Sequence, residues 1–195
     1  MENLELFCKY NSLKISDIKT LLNRNSVKLD DLLLIDDVQF PTLHSQFDSW
    51  MFNYRVFLTQ VNRYLKTGKD IYTPKYMILF HGTSGRNVES IEANGLLTTT
   101  NKMRNSLQST NGYVYLAPMY DYAYDFGRFV NPNDVAVFAV LCKVNQLSID
   151  TDQIKNKRVF KADVDIKETL ADSLWFGHSV RVHSRIDVSQ IIYLP

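Results

Sequence analysis

MILFHGTSGRNVESIEANGL over residues 77–96 and, after a polar loop, NGYVYLAPMYDYAYDFG over residues 111–127 decide the fold. Met77 to Phe80 is a continuous apolar run bounded by Gly82, too short for a helix, and it predicts a strand buried on both faces. The strand delivers His81, Gly82 and Thr83 to its end. Gly82 has no Cβ, so a flat ligand is expected to approach the backbone there, with hydrogen-bonding side chains at His81 and Thr83 on either side. From Gly85 the spacing turns helical, with Val88 and Ile91 on one face and Gly95 placed to cap the helix in a left-handed conformation. The second strand, Tyr113 to Ala117, alternates: Tyr113, Tyr115 and Ala117 share one face, Val114 and Leu116 the other. Past Pro118 a short helix is expected to carry Ala123, Phe126 and Gly127.

Working outward, Arg128 to Asp134 reads as an Asn-Pro turn, and Val135 to Val144 as a long buried strand, VAVFAVLCKV. It ends in NQLSIDTD, which brings Asp150 and Asp152 to a strand exit. Residues 153–168 are polar and concentrate Lys155, Lys157, Arg158 and Lys161, while 170–176 is ambiguous between helix and strand. Val180 to His183 and Ile191 to Leu194 read as strands joined as a closing pair. On the N-terminal side, Ile15, Ile18, Leu21 and Leu22 fall on one helical face with Ser16 as the expected N-cap, and Leu29, Leu32 and Leu33 as a second short helix. Asp36, Asp37 and Pro41 mark a loop. A longer amphipathic helix is expected from Thr42 to Thr67, with Phe47, Trp50, Met51, Tyr54, Phe57, Leu58, Val61 and Leu65 on its stripe and Gly68 at its end. Residues 70–75 then link it to the strand at Met77. The stripe has two readings, a face packed on the rest of the chain or a docking surface for an antitoxin, chaperone or target.

The outer limits are ordinary. At 195 residues, 45% hydrophobic and 22% charged, the chain has the composition of a soluble domain with one appended segment. No apolar run approaches the roughly 18 residues of a membrane span, and no signal peptide is visible after Met1, so a cytoplasmic protein without a membrane partner is expected. Cys8 and Cys142 are far apart, which supports neither a disulfide framework nor a metal site. The net charge of +1 argues against bulk capture of nucleic acid.

His-Gly-Thr on a strand, then Ile-Glu-Ala-Asn-Gly-Leu, Tyr-Leu-Ala and Ala-Tyr-Asp-Phe-Gly in that order resemble the ADP-ribosyltransferase superfamily in its His-Tyr-acid branch. That branch includes the poly(ADP-ribose) polymerase catalytic domain, rifamycin ADP-ribosyltransferase and the RNA 2'-phosphotransferases. The resemblance covers residues 77 to 195 and is strongest in its first half. It implies an α+β fold, an ADP-ribosyltransferase-like split β-sheet core over residues 71–195, with residues 1–70 as an N-terminal helical segment packing on it. It implies NAD as co-substrate and no metal. It also implies roles: Gly82 grips the nicotinamide carboxamide, His81 bonds the adenosine-side ribose, Thr83 assists, Tyr115 stacks on nicotinamide and Phe126 forms a second aromatic wall, with Tyr113 and Ala123 alongside.

Cleaving the nicotinamide–ribose bond develops positive charge on the ribose, as glycoside hydrolysis does, and calls for a carboxylate near it. Many family members place a Glu at the start of the penultimate strand, where this sequence has Gly177-His178-Ser179. Asp152, or its neighbour Asp150, follows a buried strand in a way that resembles the aspartate of the rifamycin-modifying enzyme; Asp172 and Glu168 are rivals. An Asp at a strand exit is otherwise a cap or turn residue. Tyr113 and Tyr115 have a second reading as core tyrosines with hydroxyls at the rim, Tyr120, Tyr122 and Tyr124 read as packing or rim residues, and His178 and His183 are expected at the surface or facing the target, without a metal role.

The function expected is mono-ADP-ribosylation of a macromolecule, RNA or protein, by analogy in an intracellular toxin or phage-defence effector. Lys155 to Lys161, with Arg181 and Arg185 nearby in sequence, are either a nucleic-acid contact or a solvated loop. Two other readings are an NAD-dependent RNA 2'-phosphotransferase and a non-catalytic NAD or ADP-ribose binding module.

Overall fold

The run around Met77 forms the central strand. In the computed structural model, which describes residues 2–33, 76–98, 110–153, 170 and 173–195, the chain is a mixed α+β fold with two small sheets. Strand β1 is Leu32–Leu33, β2 is Tyr76–Ser84, β3 is Val114–Leu116, β4 is Val135–Lys143, β5 is Leu147–Ile149, β6 is Val180–Val182 and β7 is Ile191–Leu194. The first sheet has the order β1-β2-β4-β7 and the second β3-β6-β5. β2 and β4 pair antiparallel along their full length, from Tyr76 opposite Lys143 to Ser84 opposite Val135. Both faces of this pair are covered, which is why both strands are runs of apolar residues instead of alternations.

The two faces of β2 serve different layers. Met77 and Leu79 join a core with Phe138, Val114, Leu116, Val180 and Val182, so the odd positions look toward the second sheet. Ile78 and Phe80 join a core with Phe7, Ile18 and Leu21 from the N-terminal helices and Ala123 from the helix after β3. Among the described residues the sheets are joined at one bridge. Phe80 and Ala117 exchange both main-chain hydrogen bonds, N–H to O at 2.8 and 2.7 Å. Beyond it β2 runs on to Ser84 while β3 turns away, and the two sheets part.

Helix α1 is Glu2–Tyr10 and α2 is Ile15–Arg24. Ile18, Leu21 and Leu22 are buried, as the spacing predicts. The N-cap of α2 is Lys14 instead of Ser16, because the Asp17 carboxylate three residues on accepts the Lys14 N–H at 2.8 Å. Leu29, Leu32 and Leu33 do not form a helix. Leu29–Asp31 is a single 3₁₀ turn, and Leu32 and Leu33 run parallel to Tyr76 and Met77, so both leucines are buried at the sheet edge. The amphipathic stripe of residues 42–67, its end at Gly68, the loop at 36–41 and the linker at 70–75 lie outside the described residues.

Helix α3, Val88–Asn94, ends at Gly95, whose N–H donates to the Ile91 carbonyl at 2.7 Å. Gly95 has φ 74°, and a Cβ there would meet the Ile186 carbonyl oxygen at 2.1 Å, so both conformation and space require glycine. Helix α4, Tyr120–Val130, is longer than expected and absorbs Arg128 to Val130 before the turn at 131–134. A further sequence expectation fails. Strands β6 and β7 do not pair with each other: β6 lies between β3 and β5, and β7 lies on β4. The connection between them crosses from one sheet to the other and is pinned by reciprocal main-chain bonds between Leu96 and Ile186.

Candidate active site

The candidate site lies where the sheets part. His81 occupies an odd position of β2, so its side chain shares the face of Met77 and Leu79 and looks toward β3. Its Nδ1 lies 2.9 Å from the main-chain carbonyl oxygen of Tyr115. A carbonyl can only accept, so Nδ1 carries the proton and Nε2 of the neutral ring is left as an acceptor. Burial pushes the imidazole below the usual histidine range, partly offset by the bond to Tyr115, and so favours this neutral form.

Gly82 is required, but for a reason the sequence does not disclose. A Cβ at this position would come 1.7 Å from the carbonyl oxygen of Ala123, in α4. The missing side chain therefore makes room for the helix, and the expectation that it opens the backbone to a ligand on that face is corrected. Ala123 is accordingly in the core beside Ile78 and Phe80, away from the His81 face. The main chain of Gly82 is a separate matter. In an antiparallel pair the N–H and C=O of successive residues point alternately to the two sides, and Phe80 directs both at Ala117, away from β4. Gly82, two residues on, presents its N–H and C=O to that same side, past the point where the sheets separate. Thr83 is held by Asn87, whose Nδ2 donates to its Oγ1 at 2.9 Å.

Tyr115 is opposite Arg181 across the β3–β6 pair, and Arg181 is opposite Ser148 across β6–β5. Directly opposed residues point to the same face, here the one turned away from Val114, Leu116, Val180 and Val182. The Tyr115 hydroxyl accepts the Thr110 N–H at 2.6 Å and lies 3.4 Å from Asp152 Oδ2. Thr110 Oγ1 donates to the same carboxylate oxygen at 2.8 Å. Burial raises the Tyr115 pKa, so the phenol stays protonated. Asp152 is thus brought to Tyr115, which contacts His81 through its carbonyl and Asp152 through its side chain.

Asp150 has a different place. It is buried; its Oδ1 accepts the N–H groups of Asp152 and Gln153, both at 3.2 Å, and its own N–H donates to Ser173 Oγ at 2.7 Å. Burial raises its pKa, partly offset by the Ser179 side chain and the Gln153 N–H. Asp150 caps the helical residues 151–153 at their N-terminal end and hence sets the direction of Asp152. Asp172, Glu168 and the basic run from Lys155 to Lys161 lie outside the described residues.

Sequence reasoning missed Arg181 as a member of this site. Its guanidinium carbon is 4.3 Å from the centre of the Tyr113 ring, and its Nη1 is 3.8 Å from Asp152 Oδ2. Tyr113 also meets the His183 ring edge-on at 5.0 Å. The Val180-Arg181-Val182 alternation signals an outward-facing arginine, but not what faces it. Arg185 pairs instead with Asp187 at 3.6 Å, at the surface. His178 is not a surface residue: it has φ 49°, is half-buried and stacks on Tyr122 of α4 with ring centres 4.0 Å apart. Phe126 is half-buried on α4, and Tyr120 stacks on Tyr124 along the same helix.

Neutral imidazole, main-chain donor and acceptor, phenol, carboxylate and guanidinium are the groups along this edge, suited to a ligand with hydroxyl, amide and anionic parts. Among the described residues no helix is long and apolar enough to cross a membrane. No protein-family model matches the chain, and no curated protein matches its sequence.

Proposed function

We propose that the chain is an NAD-dependent mono-ADP-ribosyltransferase with an ADP-ribosyltransferase-like split sheet, and that it modifies a macromolecular target. The observation that carries this reading is the pairing of His81 and Tyr115 across the parting of the two sheets, ring Nδ1 to main-chain carbonyl at 2.9 Å. That bond leaves Nε2 as an acceptor for a ribose hydroxyl, beside main-chain groups of Gly82 that can bond both ends of a carboxamide. Tyr115 supplies a ring for the nicotinamide to stack on, and Asp152 a negative charge for the developing ribose cation. Loss of the nicotinamide leaves C1' of the ribose electron-poor, and a nucleophilic atom of the target forms the new bond there and releases its proton. Thr110 fixes the carboxylate that would favour this state, its Oγ1 donating to Asp152 Oδ2 at 2.8 Å.

The test is incubation of the chain with NAD labelled in its adenosine half, together with total protein and RNA. Label is expected on one of the two, and should be lost in His81→Ala, Tyr115→Ala and Asp152→Asn variants that remain folded. Substituting Asp172 in the same assay separates the two carboxylates. Label on neither target, with the folded wild type present, overturns the reading. A second reading, transfer of an RNA 2'-phosphate to NAD, is favoured by one observation, the guanidinium of Arg181 stacked on the Tyr113 ring, on the sheet face that Tyr115 shares. It predicts loss of phosphate from 2'-phosphorylated RNA.

A further inference from the structure

Arg181 is enclosed more tightly than an outward-facing arginine needs to be, yet incompletely paired. Its side chain is 13% exposed, its Nε is buried without a hydrogen-bond partner, and its ion pair with Asp152 is long at 3.8 Å. A guanidinium has five N–H donors arranged as a planar fork, which matches two oxygens of one phosphate or carboxylate. Asp152 does not satisfy that fork, because its approach is through Nη1 alone and at 3.8 Å lies beyond hydrogen-bond reach. Tyr113 covers one face of the guanidinium, and such stacking holds the plane in place while leaving its edge for an acceptor. On the same face of the second sheet is Tyr115, whose hydroxyl is engaged by Thr110 and Asp152.

We infer that Arg181 is a phosphate-binding residue, whose guanidinium exchanges its long pair with Asp152 for an oxyanion of a phosphate-bearing ligand. Under the proposed function that oxyanion belongs to the pyrophosphate of the dinucleotide, and this identification rests on that reading; the anion site itself does not. The exchange has a consequence for Asp152, which the arriving phosphate releases from its cation. Carboxylate and phosphate compete for one guanidinium.

Isothermal titration of the full chain with inorganic pyrophosphate, ADP-ribose, adenosine 2'-monophosphate and nicotinamide tests this. Pyrophosphate is expected to bind the wild type and to bind Arg181→Gln about tenfold to a hundredfold more weakly, as loss of charge-assisted hydrogen bonds implies. Arg181→Lys should fall between them, and nicotinamide, without phosphate, should be unaffected. Asp152→Asn should bind pyrophosphate more tightly than the wild type, which a purely structural arginine would not produce. This last comparison decides the matter if Arg181→Gln does not fold. Pyrophosphate binding with no ADP-ribose binding supports the anion site and overturns the dinucleotide reading. Binding of adenosine 2'-monophosphate in preference to ADP-ribose supports the site and points to an RNA 2'-phosphate. The inference is overturned if the wild type binds none of the anions, if folded Arg181→Gln binds them as the wild type does, or if Asp152→Asn binds pyrophosphate no more tightly.

Discussion

At the scale of single residues, His81 and Asp150 make opposite demands on pH. Burial lowers the His81 pKa, so the unfolded chain binds protons more readily there, and folding is favoured in full only above the unfolded value of about 6.5. That contribution is lost as pH falls through the folded pKa. Denaturant unfolding at pH 7 and pH 5 should show a loss of stability that is smaller in His81→Ala; an equal loss in both would contradict the assignment. Asp150 has the reverse sign, since burial raises its pKa. Its protonated form favours folding below about pH 4, and the advantage disappears as pH rises through the folded value. Asp150→Asn, which keeps an oxygen to cap the turn, should therefore be more stable than wild type near pH 7, with the difference vanishing below about pH 4. Residue identities at the site were legible where the neighbouring sequence constrains them, as at His81 and Tyr115. Arg181 was not, because its partners Tyr113 and Asp152 are brought to it by strands and turns distant in sequence.

Elements divide the same way. The strand at Met77 and the helices at Ile15 and Val88 were readable because their signals are local, an apolar run or a 3.6-residue spacing. The allotment of strands to sheets was not, since β6 and β7 are close in sequence yet pair with β3, β5 and β4 from far along the chain. Gly82 illustrates the limit: the sequence reveals that a Cβ is missing, and only the packing of α4 reveals what needs the space. Gly82→Ala forces that helix outward, a cost near the upper end of about 1–3 kcal/mol for overpacking. With about 2–4 °C per kcal/mol for a chain of this size, Tm should fall by on the order of 10 °C. An unchanged Tm would mean the helix is not seated there. Phe7 of α1 is buried with its ring 6.4 Å from that of Phe80. Phe7→Ala should cost about 3–5 kcal/mol and lower the single unfolding transition of the described core. If α1 instead unfolds in a separate earlier step, it is not part of that core.

For the whole molecule, the parting of the two sheets past Phe80 and Ala117 is what creates a place for function. One sheet supplies His81 and the main chain of Gly82, and the other supplies Tyr115, Arg181 and, through the turn after β5, Asp152. The N-terminal helices cover the opposite face of the first sheet and leave the His81 face to the second sheet. The most direct test is a crystal structure of the chain soaked with NAD. The account predicts the carboxamide bonded to the main chain of Gly82, the nicotinamide against the Tyr115 ring and a ribose hydroxyl donating to His81 Nε2. A site empty at saturating NAD, or a dinucleotide bound elsewhere on the molecule, would contradict it.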